Sequence, residues 1–357
     1  MTRKRWAIFT LSLLLAGVAG IIGSVVLIDP FEIYRQATAF IPPITNGTQI
    51  YSNAGIAKNY AYDSIVIGSS MTENFAPSQL DALLGGRFVK LPVNAGSPFN
   101  HKQMMDMAFD THDVRRVLYG LDVELMSYFY TTPKCEMPDY LYDASQFNDV
   151  HYWFNLSVLT EYIPQCLATW GERDDSLRDT MYTWGGLYAY GPQAALADVS
   201  ITGETVEQGM PQEDPQLSQQ VRLNVEHNIV SFITAHPQTE FLFFFPPYSL
   251  AHWYEFYQQG DLQNQLTQKE AVVKALLPYE NVKIYDFQAR MDWILDLNNY
   301  IDTSHYGPWI NEEIASAISE GRERVTSVAQ VQKNDAEIRR RVDELVAAGT
   351  WPDSFQD

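Results

Sequence analysis

Two local patterns in this sequence hold residue types that can do covalent chemistry. The first, Gly68-Ser69-Ser70-Met71-Thr72, follows the apolar run Ser64-Ile65-Val66-Ile67. A serine just past a strand, where a helix opens, exposes its hydroxyl beside backbone N–H groups aimed at whatever it attacks. A serine hydroxyl is a weak nucleophile alone and needs an adjacent base. The second pattern is Asp302-Thr303-Ser304-His305-Tyr306, where Asp302 precedes His305 by three residues and can orient its imidazole. The other six of the seven histidines (His101, His112, His151, His227, His236 and His252) fall in helix-like stretches or among aromatic residues, with no acidic residue at a telling position. Together the patterns ask for a serine that attacks, a histidine that takes and returns the proton, and an aspartate that fixes the tautomer. No metal-ligand spacing, phosphate-cradling loop or dinucleotide fingerprint occurs, and this chemistry requires no cofactor.

Elements must position these residues. Short apolar runs recur, each closed by turn residues: Ser64–Ile67 before Gly68, Arg87–Val93 before Asn94-Ala95-Gly96, and Arg116–Tyr119 before Gly120. Phe241–Phe245 runs into Pro246-Pro247-Tyr248, and Val282–Tyr285 into Asp286-Phe287. Helix-like segments at 78–84, 102–110, 216–235 and 265–277 separate them. Runs apolar on both faces, separated by helices, predict an α/β fold: a three-layer α/β/α sandwich with about five parallel strands. In such a sheet ligands sit at the carboxyl ends of the strands, where both patterns fall. Residues 127–214 interrupt the rhythm with many tyrosines and tryptophans and read as a long insertion capping or lining the site. Each pattern also fits a plainer role: a capped turn at Gly68-Ser69-Ser70, a capped helix start at Asp302–His305, and a positive-φ turn position at Gly96.

Gly68-Ser69-Ser70, Asn94-Ala95-Gly96 and Asp302-x-x-His305, in that order and each after a strand, resemble the SGNH (GDSL-like) hydrolase superfamily over about residues 62–320. The Gly-Ser-Ser variant behind one N-terminal apolar segment is similar to the membrane-tethered envelope branch of that superfamily, which includes the D-alanylation proteins (DltD) and, more distantly, alginate O-acetylation proteins. The resemblance implies Ser70 as nucleophile, His305 as base and Asp302 as its orienter, with the backbone N–H groups of Ser70 and Gly96 holding an oxyanion. It also implies an acyl-ester or glycan substrate and a membrane-bound acyltransferase as partner. The family's Gly-x-Asn-Asp block reads Gly120-Leu121-Asp122-Val123 here. An ionised carboxylate cannot donate a hydrogen bond, so either Asp122 has another role or Asn94 or Asn100 supplies the missing donor.

The chain begins with Arg3, Lys4 and Arg5, then runs uncharged from Trp6 to Ile28, about the 20 residues that cross a bilayer as a helix. The apolar run continues past the small residues at 16–19, which favours an uncleaved anchor over a cleaved signal peptide. The basic end stays cytoplasmic under the positive-inside rule, so the body is expected outside the cell membrane. The expected organisation is a basic end at 1–5, an anchor at 6–28, a tether at 29–60 and an SGNH-like domain at 61–325. A helix and tail follow at 326–357, the helix reading as a solvated one. The 357 residues carry a formal charge of −20, which disfavours nucleic acid as a partner. Cys135 and Cys166 are too few for a disulfide scaffold; an oxidising compartment permits them to pair, and free thiols fit equally well. The activity these readings favour is an anchored serine ester hydrolase or O-acyltransferase acting on envelope or secreted glycans. The alternatives are a non-catalytic SGNH-fold module that binds glycan or scaffolds an envelope complex, and a body that partners a membrane enzyme.

Overall fold

The computed structural model describes residues 2–197, 199 and 215–349, so residues 200–214 of the expected insertion and the tail beyond 349 lie outside it. The chain forms two compact units. One joins the N-terminal residues to Ala61 with Met137–Leu177; the other joins Tyr62–Glu136 with the residues from Arg178 onward.

The second unit is built on a six-stranded sheet of β1 (Ser64–Ile67), β2 (Phe88–Lys90), β3 (Arg116–Gly120), β4 (Glu240–Phe245), β5 (Val282–Asp286) and β6 (Arg324–Val325). Their order is β2-β1-β3-β4-β5-β6. The first five are parallel and β6 runs antiparallel to β5, with Ile284 opposite Val325. The apolar runs become strands because β1 and β2 are buried along their whole length and β4 from Phe241 to Phe245, the burial expected of parallel strands. β6 has two residues, too few for any sequence signal. Helices Pro77–Leu84, Pro98–Thr111 and Leu262–Leu276 occupy the expected positions. The 216–235 segment forms Pro215–Asn224 and Ser231–Ala235 around a π-helical Val225–Val230.

The last helix, Val328–Ala348, departs from the solvated helix expected of its charge. Val331, Asp335, Ile338 and Val342 on it are buried. Its basic run is neutralised locally: Arg340 and Arg341 pair with Glu337 and Glu344, and Arg339 donates to Gln263.

The other unit begins with α1 (Arg3–Ile28), long and apolar enough to cross a membrane. α1 ends at Asp29, which adopts a left-handed φ of 53°. The buried Asp29 carboxylate accepts the amides of Ile33, Tyr34 and Arg35 and the Tyr152 hydroxyl, which pins the chain reversal. The stretch expected to be an irregular tether contains a helix, Gln49–Asn59. Val25, Phe31, Ala54, Leu141, Tyr152, Val158 and Ile163 form this unit's core. The aromatic-rich stretch therefore divides: 137–177 completes a core with the N-terminal residues, whereas 178–197 belongs with the sheet. Both cysteines are free thiols, Cys135 half-buried and Cys166 buried.

Candidate functional site

Parallel strands deliver their following loops to one edge of the sheet, and this decides what meets there. β1 stops at Ile67, and Gly68 turns the chain at φ 150°. A side chain at Gly68 would bring its Cβ to 2.6 Å from Thr72 Cγ2, so this tight turn requires glycine. Ser69 caps the short helix Ser70–Thr72, its Oγ accepting the Met71 amide at 3.3 Å. Ser70 thus opens a helical turn, and its own N–H donates to no acceptor among the described residues.

The Asp302–His305 loop is closed at its base by a bridge between Tyr300 and Tyr306, with the Ile301 amide donating to the His305 carbonyl at 3.0 Å. Inside it one carboxylate organises the two residues Ser304 and His305. Asp302 Oδ1 accepts the His305 amide at 2.7 Å and the Ser304 amide at 2.8 Å, and Oδ2 lies 2.7 Å from His305 Nδ1. The other ring nitrogen, Nε2, is 2.7 Å from Ser70 Oγ. Ser70, distant in sequence, and the neighbouring His305 and Asp302 thus form one hydrogen-bonded line.

The electrostatics follow from this line. Burial opposes charge on Asp302, but the hydrogen bond and charge of His305, with the two loop amides, outweigh it and hold the carboxyl below its usual range. Burial likewise opposes charge on His305, but the bond and charge of Asp302 raise its pKa above the ordinary 6.5. An Nδ1–H donated to Asp302 leaves Nε2 as the acceptor facing the serine.

The surroundings hold residues the sequence did not single out. Trp184 donates Nε1–H to the Ser70 carbonyl at 3.3 Å and sets its ring edge-on to His305, with centroids 5.4 Å apart. Asn74 fixes that tryptophan by accepting the amides of Trp184 and Gly185. Thr303 is clamped from the loop after β4: its carbonyl accepts from the Ser249 amide and hydroxyl, and its own hydroxyl donates to Glu255. His252 joins this brace, 3.2 Å from Glu255 and 3.3 Å from Thr303 Oγ1. The Glu255 three residues after it was the available signal. Pro247 accepts the Tyr300 hydroxyl through its carbonyl, so the Pro246-Pro247-Tyr248 turn supports the His305 loop.

The remaining candidates are placed differently. Asp122 is buried and accepts from Ser69 Oγ at 2.6 Å and from the Tyr248 hydroxyl; it holds the residue before Ser70 and is an acceptor, not a donor. Asn100 caps its helix, accepts the Lys134 and Cys135 amides and donates to the Cys135 carbonyl at 2.7 Å, so its amide is committed to that loop. Asn94 is exposed, and its carbonyl receives the Cys135 thiol. The Gly96 N–H donates to the Val93 carbonyl at 2.8 Å. The positive φ in that turn belongs to Ala95, at 52°. Gly96 is needed because a Cβ there would lie 2.7 Å from Val93 Cβ. Among the described residues no cluster of side chains could hold a metal ion.

Burial raises the Asp122 pKa to about 6, against the hydrogen bonds from Ser69 and Tyr248 that lower it. Between 3.8 and about 6 the folded chain keeps a proton there that the unfolded chain has released, so stability falls as pH rises through that window. Asp122→Asn can still pair both hydroxyls, and it is expected to remove up to about 1.36 kcal/mol per pH unit from that slope. Urea midpoints measured across the window check this; an unchanged slope excludes it.

No family model matches the chain, and no curated protein does. Among solved structures it is similar to one described as "a putative platelet activating factor from Streptococcus pneumonia", at 12% identity, covering 77% of this chain and 91% of that chain with a TM-score of 0.40. A likeness of that size supports no inference about chemistry.

Proposed function

We propose that the protein is an anchored serine ester hydrolase or O-acyltransferase of the SGNH type, with Ser70 as nucleophile, His305 as general base and acid, and Asp302 as its orienter. The observation that carries this reading is the unbroken line from Ser70 Oγ to His305 Nε2 and from His305 Nδ1 to Asp302 Oδ2, each step 2.7 Å. In it Ser70 Oγ adds to the ester carbonyl carbon while His305 Nε2 takes the hydroxyl proton. The tetrahedral oxyanion collapses, the ester C–O bond breaks, and His305 returns the proton to the departing alkoxide. The acyl group now rests on Ser70. Water then releases it as an acid, or a sugar hydroxyl takes it as a new ester, with His305 again accepting the attacking proton. The Ser70 amide, which has no acceptor among the described residues, suits the oxyanion. The three-layer sandwich belongs to the same reading. So does the location: α1 crosses the cell membrane with Arg3, Lys4 and Arg5 in the cytoplasm, and the body acts outside on envelope or secreted glycans, alongside a membrane-bound acyltransferase.

Labelling of the full-length protein with a fluorophosphonate probe tests the assignment. Labelling lost in both Ser70→Ala and His305→Ala is the expected result, and labelling retained in Ser70→Ala overturns it. A second reading, a non-catalytic module that binds glycan or scaffolds an envelope complex, is favoured by one observation: Gly96, Asn100 and Asp122 offer no second oxyanion donor. Folded wild-type protein that never labels, with glycan binding that survives in Ser70→Ala, selects that reading.

A further inference from the structure

We infer that the face formed by Phe154, Leu156, Leu167 and Trp170 lies in the lipid headgroup and upper acyl region of the membrane that α1 crosses, making this segment a second, lateral membrane contact. The inference rests on the anchoring of α1 and is independent of the chemistry at Ser70.

Length is the first argument. α1 is exposed from Arg3 to Ile21 apart from the partly exposed Val18, whereas Ile22 to Ser24 are only partly exposed and Val25 is fully buried in protein, with Leu27 beyond it exposed again. Counted from Trp6, after the basic end, the roughly 30 Å hydrocarbon core of a bilayer takes about 20 residues at 1.5 Å each, which reaches Val25. The lipid therefore ends near the point where α1 enters its own unit. What packs against α1 there is Val150–Trp153, Val158–Tyr162 and Ile163–Ala168, so these elements sit at the depth of the membrane interface.

Composition is the second. From Phe154 to Trp170 the only charged residue is Glu161, in a chain with a net charge of −20. π-helical Val158–Tyr162 continues directly into Ile163–Ala168. Val158, Ile163 and Cys166 on it face the core, and beside the exposed Thr160, Glu161 and Gln165 four large apolar side chains on or flanking it are also open: Phe154 is 45%, Leu156 72%, Leu167 52% and Trp170 58% exposed. Large apolar side chains left open in such a group mark a surface that something other than water covers. Apolar side chains at headgroup depth gain the burial that water denies them, and tryptophan favours that zone.

Rigidity is the third. Trp170 stacks on Phe40, with centroids 6.0 Å apart. Gly171 donates to the Ala39 carbonyl at 2.7 Å, and Thr169 Oγ1 bridges both backbone groups of Ile41. The Arg35 guanidinium donates to the last carbonyls of α1, at Val26 and Leu27, a cation at the depth where phosphates sit. The face is held beside the end of α1 by its own unit.

The test reconstitutes the full chain in vesicles of phosphatidylethanolamine and phosphatidylglycerol doped with a phospholipid carrying a diazirine high on its acyl chain. Labelled peptides are mapped after illumination. Expected are adducts in α1 and in 154–170, with the second set lost and the first retained in Leu156→Asp/Leu167→Asp/Trp170→Asp. Adducts in α1 alone in the wild type overturn the proposal and assign the face to a protein partner. Adducts in neither segment overturn the anchoring of α1, and the proposal with it.

Discussion

Asp302→Asn is expected to slow acyl turnover, read as the rate of hydrolysis of a simple aryl ester or of fluorophosphonate labelling, by about 10⁴ while the protein stays folded. The loop survives because an asparagine oxygen can still accept the amides of Ser304 and His305 that Asp302 Oδ1 holds now. The loss comes from the other side of the group. Oδ2 lies 2.7 Å from His305 Nδ1, and an amide N–H₂ there must donate. It then selects the tautomer with the proton on Nε2, which can no longer take one from Ser70 Oγ.

The same substitution has a signature in pH. His305 works as a base only when neutral, and Asp302 raises its pKa above 6.5 against the effect of burial. The wild-type rate therefore rises with pH through a midpoint above 6.5 and is lost below it. Without the carboxylate, burial dominates and the residual rate of Asp302→Asn has its acid limb shifted to lower pH. A rate within tenfold of wild type, or an acid limb that does not move, removes Asp302 from the role of orienter.

The second large effect lies away from Ser70. Lys269 is fully buried and pairs with Asp286 at 2.9 Å and Asp335 at 2.8 Å. Asp286 ends β5, Lys269 lies in Leu262–Leu276 and Asp335 in the last helix, so one ammonium joins three elements. Burial disfavours its charge, but the two carboxylates outweigh that and raise its pKa. Lys269→Met leaves two buried carboxylates facing each other without a counter-charge. Breaking such a pair from one side costs about 3–5 kcal/mol, read as a lowered urea midpoint with loss of helical signal from residues 328–348. Lys269→Met/Asp286→Asn/Asp335→Asn removes the charges together and is expected to recover most of that loss. A single variant as stable as wild type would show that the cluster contributes nothing net.

The elements and chemical pairs legible in the sequence are those whose cause is local. β1, β2, β3, β4 and β5 announce themselves because a parallel strand buried on both faces must be a continuous apolar run, and a four-residue run such as Ser64–Ile67 shows that without knowledge of its neighbours. Asp302 and His305 are legible for a related reason: three residues of spacing let one side chain reach the other inside a single loop. The two-residue β6 and the buried face of Val328–Ala348 were not legible. The first is too short to carry a pattern, and in the second the buried positions include Asp335, which is tolerated only because Lys269 comes from elsewhere.

By itself the sequence determined the apolar N-terminal helix, the α/β alternation and the residue types able to do acyl chemistry, because periodicity, length and close spacing are properties of adjacent residues. Which groups remain free to act was decided by tertiary structure alone. The Gly96 amide is spent on Val93, Asn100 on the Lys134–Cys135 backbone and Asp122 on two hydroxyls, whereas the Ser70 amide has no acceptor among the described residues. Hydrogen-bonding capacity is a property of the residue, but its occupancy depends on what the rest of the fold brings within about 3 Å. Trp184 and Tyr248 make the same point: their positions beside His305 and Asp122 come from loops far apart in the chain, which only the folded sheet unites.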